Sequence, residues 1–342
     1  MKRTSDKTVA VIGGGIAGME ASSRLRQLGL NVILIEKSDH LGGHVSQWYR
    51  LFPDGSEASS LVERLSGEID GVNVRLLTEV SSVNRLKGGF NLILSTGENV
   101  LCGAVLMTTG FSLFPAEKKE EYGYGIYNRV MTNADLESWF RTGDDDRLVA
   151  SDIHRIGFVH CVGSRDVKAG NTQCSKVCCI TAIKQAIEMK ERFPGAEIYC
   201  FYMDLRLFGK KYEDYYINAQ RDYGIHFIRG RVSEVSENIE GKVIVKAEDT
   251  LNGKPVKVTL DLLVLMSGII CNRDAHPIAR GLSMMTDEDG WLKSRDNLDG
   301  ITSAERKGVF CAGACTGAKT IPETLAEADR AALQIHSYLS AK

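Results

Sequence analysis

The sequence predicts an α/β protein of two nucleotide-binding-like domains, one inserted into the other. Three observations predict it. The 342-residue chain opens on a strand, a glycine turn, a helix and a second strand. Residues 71–111 and 224–269 repeat one order of elements: strand, strand, polar turn, strand, then an apolar strand ending in glycine. The chain closes on a strand, a glycine turn and a long helix. Two copies of one plan imply two similar domains. Residues 1–150 are expected to form the first part of a dinucleotide-binding domain, 151–262 the inserted domain, and 263–342 the return to the first.

The opening unit, TVAVIGGGIAGMEASSRLRQLGLNVILIE, carries Gly13-x-Gly15-x-x-Gly18 in its turn and Glu36 at the end of its second strand. Gly13 permits the tight turn, Gly15 lets backbone approach a pyrophosphate, and Gly18 lets helix and strand pack closely. The helix begins with Ile16 and Ala17, whose N–H groups are free for phosphate oxygens. Glu36 suits a ribose hydroxyl as donor. Alone the motif is weak and does not choose between NAD and FAD. Its strand, helix and acid make it a dinucleotide site.

Two further features favour FAD. KSDHLGGHVSQW follows Glu36, and its Gly42-Gly43 doublet is similar to the second glycine pair of two-dinucleotide-binding-domain flavoproteins. Lys37, His44 and Gly110, which follow the acid, the doublet and the first apolar repeat strand, join the candidate site. The closing segment KGVFCAGACTGAKTIPETLAEADRAALQI resembles the part of that superfamily that returns over the flavin. Thr320 and Glu323 have capping-box spacing, so a helix is expected from Ile321, its positive end available to a reduced, anionic flavin. Gly313 belongs to this turn, but the superfamily's usual Asp is replaced by Ala314.

The inserted domain lacks a glycine fingerprint. After its expected first strand, RIGFVH, comes CVGSRDVKAGNTQCSKVCC, which holds Cys161, Cys174, Cys178 and Cys179. ITAIKQAIEMKERFP follows with helical periodicity, and a helix from about Ser175 would put three thiols at its first turn. Four converging thiolates suit an iron–sulfur cluster or zinc. Adjacent ligands are awkward around one zinc ion but acceptable on different irons of a cubane. A redox pair of Cys174 and Cys178, or buried packing, are the other readings. Cys102, Cys200 and Cys271 lie in or beside apolar strands and are expected to pack. Cys311 and Cys315 flank the last glycine turn and are also expected to pack.

Composition narrows the classes. Forty-two Lys and Arg against 44 Asp and Glu give a net charge of −2 without a massed basic stretch, which argues against nucleic-acid binding. The sequence shows no transmembrane candidate. Nine cysteines are read as those of a cytoplasmic protein, with disulfides the least expected use.

VIGGGIAGMEAS, CVGSRD, CSKVCCITAIKQA, FYMDLRLFGKKYEDYY and AGACTGAKTIPETLAEA together resemble the family of heterodisulfide reductase A-type subunits over nearly the whole chain. The resemblance implies a thioredoxin-reductase-like fold whose second nucleotide domain has become an iron–sulfur domain. It implies FAD, and a [4Fe–4S] cluster on Cys161, Cys174, Cys178 and Cys179. The family has a lysine five residues after its last cysteine, beside the flavin's reactive N5; here that is Lys184, which by itself reads as a surface residue. Partners would be B- and C-type iron–sulfur subunits and a second copy of the chain; RLFGKKYEDYYINAQRDYG reads equally as part of such a homodimer interface and as an amphipathic surface helix. Ferredoxin-like C-x2-C-x2-C-x3-C runs are missing, so the match is to the compact form in the heterodisulfide-reductase-like complexes of sulfur oxidisers. A related component of quinone-interacting oxidoreductase complexes, a self-contained FAD/NAD(P)H disulfide reductase and a non-catalytic scaffold are the rival readings.

Overall fold

A computed structural model describes residues 7–144, 148, 153–295 and 303–341. Among these residues the α-helices are α1 (Ile16–Gln27), α2 (Ala58–Glu68), α3 (Asn133–Thr142), α4 (Cys178–Arg192), α5 (Tyr212–Arg221), α6 (His276–Gly281) and α7 (Ile321–Ser340). The chain divides into two compact units. The first holds the described residues up to Gln47, Ala58–Ser112 and those from Ile270 onward. The second holds Trp48–Glu57 and the described residues between Leu113 and Ile269.

The first unit is built on a five-stranded sheet in the order Val309–Cys311, Ala104–Met107, Thr8–Ile12, Asn31–Ile35, Asn73–Arg75. All four pairings are parallel. The central strand TVAVI is buried along its whole length, the continuous apolar run expected of a strand covered on both faces. α7 buries Thr324, Ala328, Ala331, Ala332, Ile335 and Leu339, a helical stripe of small and aliphatic residues. Thr320 and Glu323 form the expected capping box at its start. An antiparallel meander, Val80–Leu86, Gly89–Leu94 and Asn99–Cys102, completes the first repeat.

The second unit repeats this plan. Its parallel sheet runs His226–Arg229, Glu197–Tyr202, Arg155–Val162, Leu262–Ser267, Val130–Thr132, and its meander is Val232–Glu237, Val243–Asp249, Lys254–Leu260. Each repeat has one strand more than the sequence pattern suggests, because an apolar strand directly follows the meander in both.

The domain boundaries differ from the expected 150 and 262. Val130–Thr132 pairs with Leu262–Ser267 in the second sheet, and α3 follows it directly, so the long segment of the second unit begins at Leu113. Leu262–Ser267 also pairs with Arg155–Val162, which delays the return to the first unit until Ile270. Residue 150 itself lies outside the described residues.

Candidate functional site

In the first unit the glycine residues make a cradle that side chains would fill. Gly13 has φ +110°, and a Cβ there would lie 2.5 Å from the Thr108 carbonyl oxygen. A Cβ on Gly18 would lie 1.9 Å from the Gly13 carbonyl oxygen. At Gly15 the nearest atom to such a Cβ is Gly43 Cα, 3.9 Å away. Gly15 is the N-cap of α1 and makes no side-chain cap. The N–H groups of Ile16, Ala17 and Gly18 therefore have no acceptor within the helix. Glu36 accepts the Gly14 N–H at 2.6 Å and the Ser38 N–H at 2.7 Å. A carboxylate has lone pairs to spare beyond these two, so it can still receive a hydroxyl.

Gly42 donates its N–H to the Gly14 carbonyl at 2.9 Å, which brings the glycine doublet against the first turn. The His44 ring stacks on Phe111 at 4.3 Å, with Nε2 3.0 Å from the Phe111 carbonyl oxygen. Burial lowers its pKa, so the ring is neutral and Nε2–H donates. Gly110 occupies a left-handed turn just before it, φ +64°. Lys37 is exposed and pairs with Asp274 at 3.7 Å.

The C-terminal turn meets the start of α1. Gly313 has φ +81°, and a Cβ there would fall 2.7 Å from Ala17 Cβ. Ala314 stands at the usual acidic position, but a carboxylate is present at this turn. Glu327 of α7 accepts the Gly313 N–H at 2.7 Å and pairs with Lys319 at 3.3 Å. Thr320 and Ile321 stand at the N-terminus of α7 as expected. Cys315 is buried and donates to Ala312 O at 3.2 Å; burial pushes its thiol up to about 12, and Cys311 up as well. Both are neutral packing thiols. Cys102, Cys200 and Cys271 are buried too.

In the second unit, α1's counterpart is α4, yet the connection between strand and helix is altered. In the first unit Gly13–Gly15 separates strand from helix; here residues 163–177 intervene. Three of the six described non-glycine residues with positive φ fall in this region: Cys161 at 59°, Arg165 at 54° and Lys176 at 62°. Strained backbone of this kind gathers at functional sites. A register shift between Val159 and Val162 marks a bulge, which turns Cys161 out of the regular pleat. Left-handed Lys176 interrupts the helix, so α4 starts at Cys178 instead of near Ser175.

Cys178 and Cys179 consequently occupy the first turn of α4, with Cys174 in the loop before it. Cys161 Sγ lies 4.0 Å from Cys178 Sγ, and the Cys179 thiol is 3.8 Å from the Asp204 carbonyl oxygen. Cys174 Sγ accepts the Lys176 N–H at 3.3 Å. Hydrogen bonding to the Cys178 thiol lowers the pKa of Cys161 and Cys179, and Cys178 itself is pushed up. All four cysteines are free thiols. Among the described residues no three His, Cys, Asp or Glu side chains converge as one metal ion would need. Cys161 and Cys178 are the pair the fold brings within 4.0 Å, and Cys178 and Cys179 stand at a helix N-terminus; cysteine sulfur is the ligand iron–sulfur clusters use.

The intervening loop is held firmly. Asp166 is buried and pairs with Lys119 and Arg231, each at 2.9 Å, while its other oxygen accepts the Lys168 N–H at 3.0 Å. Arg165 pairs with Asp204 through two nitrogens. Asn171 Nδ2 donates to the Gly163 carbonyl at 2.9 Å.

Lys184 is not a surface residue: it is 2% exposed. Its Nζ donates to Glu137 Oε1 and to the Arg50 carbonyl oxygen at 3.0 Å, and lies 3.3 Å from Glu188 Oε2. Glu137 and Glu188 are not among the residues the sequence points to. Glu188 lies one turn after Lys184, a spacing visible in the sequence, but Glu137 is 47 residues away and only the fold brings it in.

A family model described as pyridine nucleotide-disulphide oxidoreductase matches residues 1–146. The chain is 31% identical, over 96% of its length, to the A-type iron–sulfur subunit of CoB–CoM heterodisulfide reductase from Methanocaldococcus jannaschii, covering 63% of that protein. Over nearly its whole length it is similar to heterodisulfide reductase A-type subunits. The first of two such subunits from Methanopyrus kandleri is likewise 31% identical over 96% of this chain, again with 63% of the relative covered. The chain thus spans less than two thirds of the length of these relatives. Thioredoxin reductase of T. acidophilum superposes with a TM-score of 0.65 at 18% identity, covering 97% of this chain and 98% of that one. That likeness gives the fold, an arrangement of two dinucleotide-binding-like domains.

Proposed function

We propose that this protein belongs to the heterodisulfide reductase A-type subunits, binds FAD in its first unit and carries a [4Fe–4S] cluster in its second. It would act as an electron-transfer component of a cytoplasmic heterodisulfide-reductase-like complex of sulfur metabolism. The observation that carries this reading is the exchange of loops. The short glycine turn of the first unit is replaced in the second by residues 163–177, which hold one cysteine and lead into two more. A loop so rebuilt has lost the means to cradle a pyrophosphate and has gained thiolates.

FAD supplies a two-electron centre that can pass electrons on singly. The chain's own residues do the rest. Gly13, Gly15 and Gly18 admit the pyrophosphate, and the free N–H groups of Ile16 and Ala17 donate to it. Glu36 accepts a ribose hydroxyl. Gly42, Gly43, His44 and Gly110 are assigned to the adjoining wall, and Gly313, Ala314, Thr320 and Ile321 to the turn and helix end nearer the flavin ring. Cys161, Cys174, Cys178 and Cys179 would ligate the cluster. Lys184 is assigned to tuning the flavin, and its burial supports a role beyond solvation. B- and C-type iron–sulfur subunits would hold the substrate site, and the Tyr-rich region around α5 would serve a homodimer. Among the described residues no helix is long and apolar enough to cross a membrane.

The test is anaerobic reduction of the purified protein. Dithionite should bleach the flavin and produce the electron paramagnetic resonance of a reduced cluster, whereas NADH alone should do neither. Rapid flavin bleaching by NADH would instead support a self-contained disulfide reductase.

A further inference from the structure

Lys184 shares its burial with two carboxylates, and the two differ. Glu137 on α3 and Glu188 on α4 are each 4% exposed. Glu137 accepts from Lys184, from Gln185 Nε2 at 2.8 Å and from the Tyr49 N–H at 2.9 Å. Among the described residues neither oxygen of Glu188 has a hydrogen-bond partner, and its ion-pair contact is Lys184 Nζ. One ammonium cannot neutralise two buried carboxylates. An ionised carboxylate without donors is the costlier of the two to keep out of water. The excess proton therefore belongs on Glu188.

We propose that Glu188 is a positioning residue that stores a proton beside Lys184. While protonated it leaves the ammonium committed to Glu137, and when ionised it competes for that ammonium. Its consequence for the flavin rests on the assignment of Lys184 made above; its proton store does not. The charged and titratable groups around Glu188 are Lys184 on its own helix, Glu137 on α3, Arg50 from the segment Trp48–Glu57, and Tyr215 on α5. Burial, and then the charge of Glu188, raises the Tyr215 pKa, so this phenol stays neutral. Burial raises Glu188 to about 7, with Lys184 opposing and Glu137 adding to the shift. The store would fill and empty around neutral pH.

Infrared titration of the whole protein tests the store directly. The wild type should show a protonated-carboxyl stretch below about pH 6 that is lost above about pH 8, and Glu188→Gln should lack this band. No such band in the wild type, or the same band in the variant, overturns the proposal. Should Glu188→Gln fold poorly, Glu188→Leu serves, since an apolar residue replaces a neutral acid in a buried site. The second readout is the flavin's midpoint potential against pH. Wild type and Glu188→Gln should differ in slope around neutrality, and Glu188→Asp should restore part of the wild-type slope. Identical slopes overturn the positioning role. A protein without flavin would sink the functional reading, and the infrared titration would still decide whether Glu188 stores a proton.

Discussion

Gly18→Ala and Gly67→Ala place the same methyl group on two helices, and the structure assigns them opposite signs. At Gly67, an exposed position in α2, nothing lies within 4 Å of the new Cβ. Alanine there should stabilise by up to about 1 kcal/mol, the usual helix preference over glycine. At Gly18 the Cβ would sit 1.9 Å from the Gly13 carbonyl oxygen and 3.0 Å from Thr108 Oγ1. The first is backbone and cannot rotate away, so α1 and the first turn must part. Overpacking of this kind costs about 1–3 kcal/mol, and the helix preference returns about 1 kcal/mol of that. The net loss is up to about 2 kcal/mol, which lowers Tm by up to a few degrees for a unit of this size. The displaced Gly13 should also release flavin. Thermal melting and bound flavin per chain measure both. A Gly18→Ala protein that melts no lower than wild type and keeps its flavin would refute the cradle argument.

Three other perturbations have defined outcomes. Folding stability should fall as pH rises from about 4.5 to about 7, because the Glu188 pKa is raised from 4.5 to about 7 and only the folded state holds the proton there. The loss should reach about 3 kcal/mol above that window, and chemical denaturation of Glu188→Gln should show it removed. Asp166→Ala leaves buried Lys119 with Glu121 as its ion-pair partner; breaking such a pair should cost about 3 kcal/mol by urea unfolding and loosen the cysteine loop. Thr320→Ala removes the capping box of α7 and should cost about 1 kcal/mol, measurable in the same way.

Much of this architecture is written locally. The first glycine turn, the repeated meanders and the Thr320 cap each rest on residues within a few positions of one another, so spacing alone announces them. The domain boundary is different. Val130–Thr132 is a three-residue strand whose membership is decided by its partner Leu263–Leu265, far along the chain. The start of α4 falls later than the periodicity implies because Lys176 adopts a left-handed conformation that its residue type does not favour. Lys184 shows the limit most clearly. A lysine on an amphipathic helix reads as solvated, and Glu137, brought in by α3, together with the Arg50 carbonyl makes its burial tolerable. The clustering of the four cysteines is legible in their spacing, while the bulge beside Cys161 depends on pairing with Leu262–Ser267.

The most direct test of the central claim is the content of iron, acid-labile sulfide, zinc and flavin in protein purified without oxygen. About four irons and four sulfides with one FAD per chain are expected, and Cys174→Ala should lose the iron while keeping the flavin. Flavin with neither iron nor sulfide, even after anaerobic reconstitution, would contradict the account and return the four cysteines to zinc or to thiol chemistry.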